Sequence, residues 1–316
     1  MFKDIVCGVT TSGEDQCAVD AAIGFAQRFD AKLYLVHVAG MAQGWGDMET
    51  LQASGETERI KAEIAERLAA KTKDLPNLEI ICVPGMPHAE LLRIARKVNS
   101  DLIVMGPHTE EFAEKRSKMW GMAGSTLEKV SRRAKSPVMI VTKETPYGEH
   151  NFKHILVATD FSEQSECAVN YGGQMARQYK AHLTVVHCLD TEGITGQLPE
   201  DEVKRVLTDT RERLAEEYVE RLRGVDDFSF EALAGKPSME ILKLSNELHA
   251  DLVIMAHHSK ETDPEKAFMG STVTQVALNS EVPTMSVNKH FDLRCGLMYE
   301  QDGTTADQAK VAEPVI

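Results

Sequence analysis

Along this chain, short continuous apolar runs alternate with longer amphipathic stretches. The first run, Ile5 to Val9, is followed by a polar loop, a small-residue helix over Ala18 to Arg28 and a second run, Leu33 to Val38. Apolar runs of this length with helices between them are the pattern of parallel strands buried on both faces. A charged segment then carries Ile60, Ile64 and Leu68 on one stripe, which predicts a helix laid over one face of the sheet. A third run, Leu78 to Val83, leads into Gly85-Met86-Pro87, where a proline early in the next helix suits its fixed φ and missing donor. That helix, Glu90 to Val98, delivers a fourth strand, Asp101 to Met105. A polar loop, a helix beginning near Ser125 and a final strand, Val138 to Val141, complete the series.

The whole series then repeats. Phe2 to Val38 aligns without a gap on Phe152 to Cys188, and Gly85 to Thr109 on Gly235 to Ser259, both at a shift of 150 residues, with 12 of 37 and 8 of 25 positions identical. A shared offset over two separate stretches argues a duplicated domain, because the period is too long for a solenoid and suits a complete domain. The shift falls to 146 where Gly124-Ser125-Thr126 meets Gly270-Ser271-Thr272, so one loop of the first copy is longer by about four residues. The second copy repeats the strands as Ile155 to Ala158, Leu183 to Cys188, Phe228 to Leu233, Asp251 to Met255 and Thr284 to Val287. The expectation is two tandem doubly wound, five-stranded α/β domains with parallel sheets, over residues 1–146 and 147–290. Residues 144–150 read as a short linker, and 291–316 as a polar, aperiodic tail expected to be disordered.

Composition narrows the function. A net charge of -14 repels phosphate backbones and anionic lipid, which disfavours nucleic acid and membrane surfaces as partners. Six cysteines without a C-x-x-C pair, most of them inside apolar runs, fit reduced thiols in a cytoplasm. The chain enters an apolar strand directly after Met1 and holds no stretch of eighteen apolar residues, so we expect a cytoplasmic protein.

In open parallel sheets ligands bind beyond the carboxyl ends of the strands, where strand order reverses. The loops after strands one and four should therefore matter most. The fourth-strand loop ends in Gly124-Ser125-Thr126 or Gly270-Ser271-Thr272 where a helix begins. Free amides, a hydroxyl and the positive end of a helix dipole suit an anion such as phosphate, and the same residues serve equally as a plain N-cap.

Several ordered motifs together resemble the universal stress protein (UspA-like) family. They are Ile155-Leu-Val-Ala-Thr-Asp160-Phe-Ser162, a histidine near the end of strand two, Gly-x-Pro before the third helix, Asp-Leu-Ile-Val-Met-Gly-x-His, and Gly-Ser before the last helix. The resemblance covers both copies and implies a Rossmann-like, adenine-nucleotide α-hydrolase-like fold. It also implies a role in stress response and pairing of the two domains through their last strands as an internal pseudo-dimer; a homodimer of the tandem chain is a separate expectation. Members of the family either bind ATP through a Gly-x2-Gly-x9-Gly-Ser/Thr loop or lack that loop. The resemblance assigns a nucleotide pocket in the second copy to Asp160, the main chain of Cys188, Met255, Ala256, Gly270, Ser271 and Thr272. In the first copy the corresponding set is Thr10, Val38, Met105, Gly106, Gly124, Ser125 and Thr126. Each copy departs from the pattern differently. The first keeps Gly106 but has Thr10 for the aspartate and Thr109 for the second glycine, while the second keeps Asp160 but has Ala256 and Ser259 for the first two glycines. Losing a loop glycine matters if φ is positive there or a phosphate approaches the backbone. The second copy is the one expected to retain a site for ATP.

Other residues offer alternative chemistry. His37 with His108, and His187 with His258, flank strand one at its carboxyl end and form candidate metal pairs, although no third ligand is evident. Cys17 and Cys167 stand near the start of the first helix of each copy, where a thiol is either activated or simply packed. The glycine-rich segment Gly40 to Gly46, with Trp45, reads as a lid or as a surface connection. Ser125 and Ser271 have no base and orienting acid placed by the sequence, so no catalytic residue is assigned and any ATP hydrolysis would be slow and incidental. Two rival readings remain: an adenine-nucleotide-dependent enzyme of the wider class, and a scaffold of this fold that binds a metal or apolar ligand.

Overall fold

The computed structural model describes residues 1–13, 15–40, 55–106, 125–143, 152–191, 199–256 and 271–287. The segment around Trp45, Thr109, Ser259, His108, His258, Gly124, Gly270, the linker 144–150 and the tail all lie outside these residues. In the first half β1 (Asp4–Gly8), α1 (Gln16–Phe29), β2 (Lys32–Gly40), α2 (Glu56–Thr72), β3 (Leu78–Gly85), α3 (Pro87–Lys97), β4 (Leu102–Met105), α4 (Ser125–Arg133) and β5 (Val138–Ile140) follow one another. The second half repeats them as β6 (His154–Ala158), α5 (Glu163–Tyr179), β7 (His182–Asp190), α6 (Glu200–Tyr218), β8 (Phe228–Gly235), α7 (Pro237–Glu247), β9 (Leu252–Ala256), α8 (Ser271–Asn279) and β10 (Thr284–Val287). The short 3₁₀ turn Val219–Leu222 extends α6.

Among the described residues the ten strands form one sheet in the order β3-β2-β1-β4-β5-β10-β9-β6-β7-β8. Within each half every pairing is parallel, and β5 meets β10 antiparallel, with Met139 opposite Met285. The expected pairing of the last strands is thus present, and it gives each short strand a hydrogen-bonding neighbour on its otherwise open edge.

Residues of α1, α2, α5 and α6 share one core with alternate positions of the strands, including Ile5, Leu33, Ile155 and Leu183. The other face is covered by α3, α4, α7 and α8 over Val6, Val36, Leu156 and Val186. The first core runs unbroken through both halves. At its seam Phe25 lies 5.8 Å from Phe152, Phe29 lies 6.0 Å from Tyr179, and the Arg28 guanidinium covers the Tyr179 ring at 4.7 Å.

Helices α1 and α5 begin before the apolar stripe that predicted them. Ser162 caps α5 by accepting from Ser165 N–H, so the polar turn Glu163–Gln164 is already helical. The aspartates of the fourth-strand motif stand outside their strands. The Asp101 carboxylate accepts from Lys3 and Asp4 N–H, and that of Asp251 from Lys153 and His154 N–H, which ties the start of strand four to strand one. The Gly-x-Pro motif also has a structural cause. Gly85 and Gly235 adopt φ of 144° and 151°, and a Cβ there would run into the Glu90 or Glu240 side chain folded over the turn.

Candidate functional site

Strands β1 and β4 are neighbours whose following helices lie on opposite faces, as are β6 and β9. Each half therefore has one reversal point at the carboxyl ends of these strands, the place where open α/β sheets take their ligands. The structure brings the loops after β1 and β6 to these points and fills the two differently.

In the first half a carboxylate is present, but it comes from Asp15 and not from position 10. Asp15 stands before α1 without capping it. Its side chain turns back to accept from Thr10 N–H at 2.9 Å and from the Thr10 hydroxyl at 2.7 Å. Arg67 of α2 donates to the Thr10 carbonyl at 2.8 Å and places a second nitrogen 3.8 Å from Asp15. Asp15 is 5% exposed, so this carboxylate is held inside the protein by its own chain. Gly106 sits against Asp15, and a Cβ at Gly106 would lie 3.4 Å from the Asp15 Cα.

In the second half the place of Asp15 is taken by Ser165, and Asp160 carries the carboxylate. Asp160 is exposed, and its Oδ1 accepts from the Ser162 N–H and hydroxyl. Beneath it, Thr159 is buried and its hydroxyl contacts both Tyr218 Oη and Ser165 Oγ at 2.8 Å. Phe161, at φ 63°, has its ring 4.7 Å from His187 and near-parallel to Tyr218, with the Arg213 guanidinium 3.9 Å over it. An exposed acceptor thus stands next to an aromatic cluster, where the first half has a buried carboxylate beside a half-buried guanidinium.

The remaining predicted residues fall as follows. Met105 and Met255 are buried at the ends of β4 and β9, and Ala256 is 8% exposed. The Gly106 backbone is not in the left-handed region, so alanine at the equivalent position 256 strains no backbone. Val38 and Cys188 are half-buried on β2 and β7. Burial, with Glu240 and Asp190 nearby, pushes the Cys188 thiol up to about 12. Helix α4 starts at Ser125 and α8 at Ser271, which puts Thr126 and Thr272 in the first turns. His37 and His187 each give Nδ1–H to a carbonyl of the strand-one end, Val9 at 2.9 Å and Thr159 at 2.8 Å, a positioning contact for the loop. Their expected partners His108 and His258 lie outside the described residues. Cys167 is 6% exposed in the core, consistent with packing and not with an accessible redox thiol.

Sequence reasoning missed Asp15, Arg67, Phe161 and Arg213. Asp15 had a signal in the alignment, a carboxylate opposite Ser165 in a loop that had lost its other one. Arg67 and Arg213 had none, since their helices reach the loop only through tertiary packing.

The model of the universal stress protein family matches residues 1–142 and again 151–288. The chain belongs to the universal stress protein family. A universal stress protein of Methanocaldococcus jannaschii is 24% identical over 147 residues, 45% of this chain and 85% of that protein. The crystal structure of a universal stress protein from Archaeoglobus fulgidus superimposes with a TM-score of 0.64 at 20% identity, covering 90% of this chain and 96% of that one. A putative universal stress protein from Pseudomonas aeruginosa gives 0.61 at 14% identity, covering 94% and 98%. At these identities the two structures speak to the fold, a tandem pair of universal stress protein domains.

Proposed function

We propose that this tandem universal stress protein is a cytoplasmic stress-response binding and regulatory module in which the second half alone takes an adenine nucleotide, at the carboxyl ends of β6 and β9. The observation that carries this reading is the contrast between the two carboxylates. Asp160 is exposed beside the reversal point, whereas Asp15 is buried against Thr10 and Arg67. An exposed carboxylate, already fixed by Ser162, can be reached from solvent by ribose hydroxyls or a base amine, and the start of α8 at Ser271 offers amide donors for phosphate. In the first half any ligand group must first displace the Arg67–Asp15 contact, which is unfavourable because it strands a buried charge. The division into domains at residues 146 and 147 belongs to this reading, as does further association into a homodimer. No general base is assigned, and the module binds without efficient turnover.

The test is isothermal titration of the full chain with ATP and magnesium, on the unaltered protein and on Asp160→Ala and Gly124→Val. One site per chain, lost with Asp160→Ala and kept with Gly124→Val, is the expected result. Absence of heat from the unaltered protein, or loss with Gly124→Val alone, defeats the reading.

A further inference from the structure

Among the described residues the non-glycine positions with positive φ are Asp30, Asn99, Phe161, Lys180 and His249. All but Phe161 form equivalent pairs at helix ends. Asp30 and Lys180 are the C-caps of α1 and α5, and Asn99 and His249 follow the C-caps of α3 and α7. A left-handed residue there is the ordinary way to close a helix. Phe161 has no helix end to close and no counterpart, since Thr11 in the equivalent place has no positive φ. The first half turns left-handed at Gly13 instead, φ 81°, where there is no Cβ to strain. A bulky residue at φ 63° is costly and persists only where the surroundings over-determine it.

Those surroundings are on the loop after β6 and on α6. The Phe161 N–H donates to the Thr159 hydroxyl at 3.1 Å. The N–H and hydroxyl of Ser162 donate to Asp160 Oδ1 at 3.1 Å and 2.5 Å. The ring adds what the main chain cannot supply. The Arg213 guanidinium lies over it at 3.9 Å, and the His187 and Tyr218 rings lie 4.7 Å and 6.2 Å from it. Tyr218 Oη also contacts the Thr159 hydroxyl at 2.8 Å, which ties the ring support to the main-chain support. At the shift of 150 residues the first half has Val9, Thr11, Glu63 and Leu68 for Thr159, Phe161, Arg213 and Tyr218, and none of these contacts can form there.

The turn decides where Asp160 points. Asp160 precedes Phe161, and the donors that hold its carboxylate follow Phe161, so the φ of Phe161 sets whether they meet. Relaxed to an ordinary negative φ, residue 161 would carry the Ser162 N–H away from Asp160 Oδ1.

We propose that Phe161 is the positioning residue of the second-half ligand site and Arg213 its clamp. The seated ring offsets the cost of the left-handed backbone, and that backbone fixes the Asp160 carboxylate at the ligand end. Ring–ring and cation–π contacts are each of the same order as the strain they oppose, so removing either one shifts the population of the turn. The positioning role rests on the second half being the one that takes the ligand; the clamp itself does not.

The test joins residue-by-residue amide hydrogen exchange of the ligand-free full chain with titration by ATP and magnesium. The Phe161 and Ser162 amides of the unaltered protein should be protected. Phe161→Ala should speed their exchange roughly tenfold and Arg213→Ala roughly threefold, while the amides of β6 and β7 exchange as before. Phe161→Tyr and Arg213→Lys keep the ring and the cation and should restore protection. Affinity for ATP should be weakened by Phe161→Ala, less so by Arg213→Ala, and retained in Phe161→Tyr. Exchange at the two amides unchanged by Phe161→Ala, or a loss of protection spread equally over β6 and β7, overturns the proposal without reference to any ligand. Protection abolished by Phe161→Ala with ATP affinity unchanged overturns the positioning role. An unaltered protein that takes no ATP defeats the nucleotide reading, and the exchange result still decides whether Phe161 and Arg213 hold the turn.

Discussion

The tightest test of the helix-to-sheet packing is Gly172→Ala in α5. A Cβ built at Gly172 runs into the Val157 Cγ2 methyl on β6 and lies 3.3 Å from Leu183 Cδ1, both in a core where these side chains are fully buried. Alanine gains roughly 1 kcal/mol of helix propensity over glycine. Overpacking a close-packed core costs about 1–3 kcal/mol, and so close an approach to Val157 belongs in the upper half, about 2–3 kcal/mol, so a net loss of about 1–2 kcal/mol is expected. The first half supplies the control, because its equivalent pair is Cys7 and Ala22, a smaller strand residue facing a larger helix residue. Val157→Cys alone should cost about 1 kcal/mol, as a lost core methyl does. Combined with Gly172→Ala it recreates the first-half pair, and the double variant should be within about 1 kcal/mol of the unaltered protein, well short of the sum of the single changes. Equilibrium urea unfolding followed by circular dichroism measures this, with the denaturant slope checked for constancy. A Gly172→Ala variant as stable as the parent, or a double variant additive within about 0.5 kcal/mol, refutes the steric argument.

Other outcomes follow from the same structure. Phe152→Ala removes a ring shared by both halves and should cost about 3–5 kcal/mol, with far-ultraviolet and aromatic signals of the whole chain melting together. Asp15→Ala leaves the Thr10 N–H without its acceptor and the Arg67 guanidinium without its counter-charge, and should cost about 2–4 kcal/mol by urea unfolding. His154 has its folded pKa lowered by burial, so the unfolded chain binds the proton more readily. Its contribution to stability is present above the ordinary imidazole value and is lost as pH falls through that value toward the folded one. The slope should stay below the roughly 1.4 kcal/mol per pH unit of one full proton, since the ring is only partly buried, and His154→Gln should flatten it in urea melts at stepped pH. Cys188, with its thiol pushed up to about 12, should react with a disulfide reagent near pH 8 far more slowly than a free thiol, and at the free-thiol rate once the chain is unfolded.

Much of the fold was legible in the chain. Continuous apolar runs separated by helices demanded parallel strands covered on both faces, and the repeat at a constant shift demanded two copies of that arrangement. Local chemistry was legible as well, as at Pro87 and Pro237, which open their helices as a fixed φ and a missing donor require, whereas the positive φ of Gly85 and Gly235 came only from the structure. What the chain alone could not fix was which side chains meet. Asp15 carried no reading in the chain, and only the packing of Arg67, from a helix some fifty residues on, against the same loop shows it closed on Thr10. His154, Thr184, Ser229 and His182 read as unrelated polar positions on three strands, and parallel register sets them side by side. Periodicity records whether a residue faces the core, because that depends on one element at a time. Contacts between elements depend on how the elements are stacked, which is why the two halves, alike in pattern, became a closed ion pair at one reversal point and an exposed carboxylate at the other.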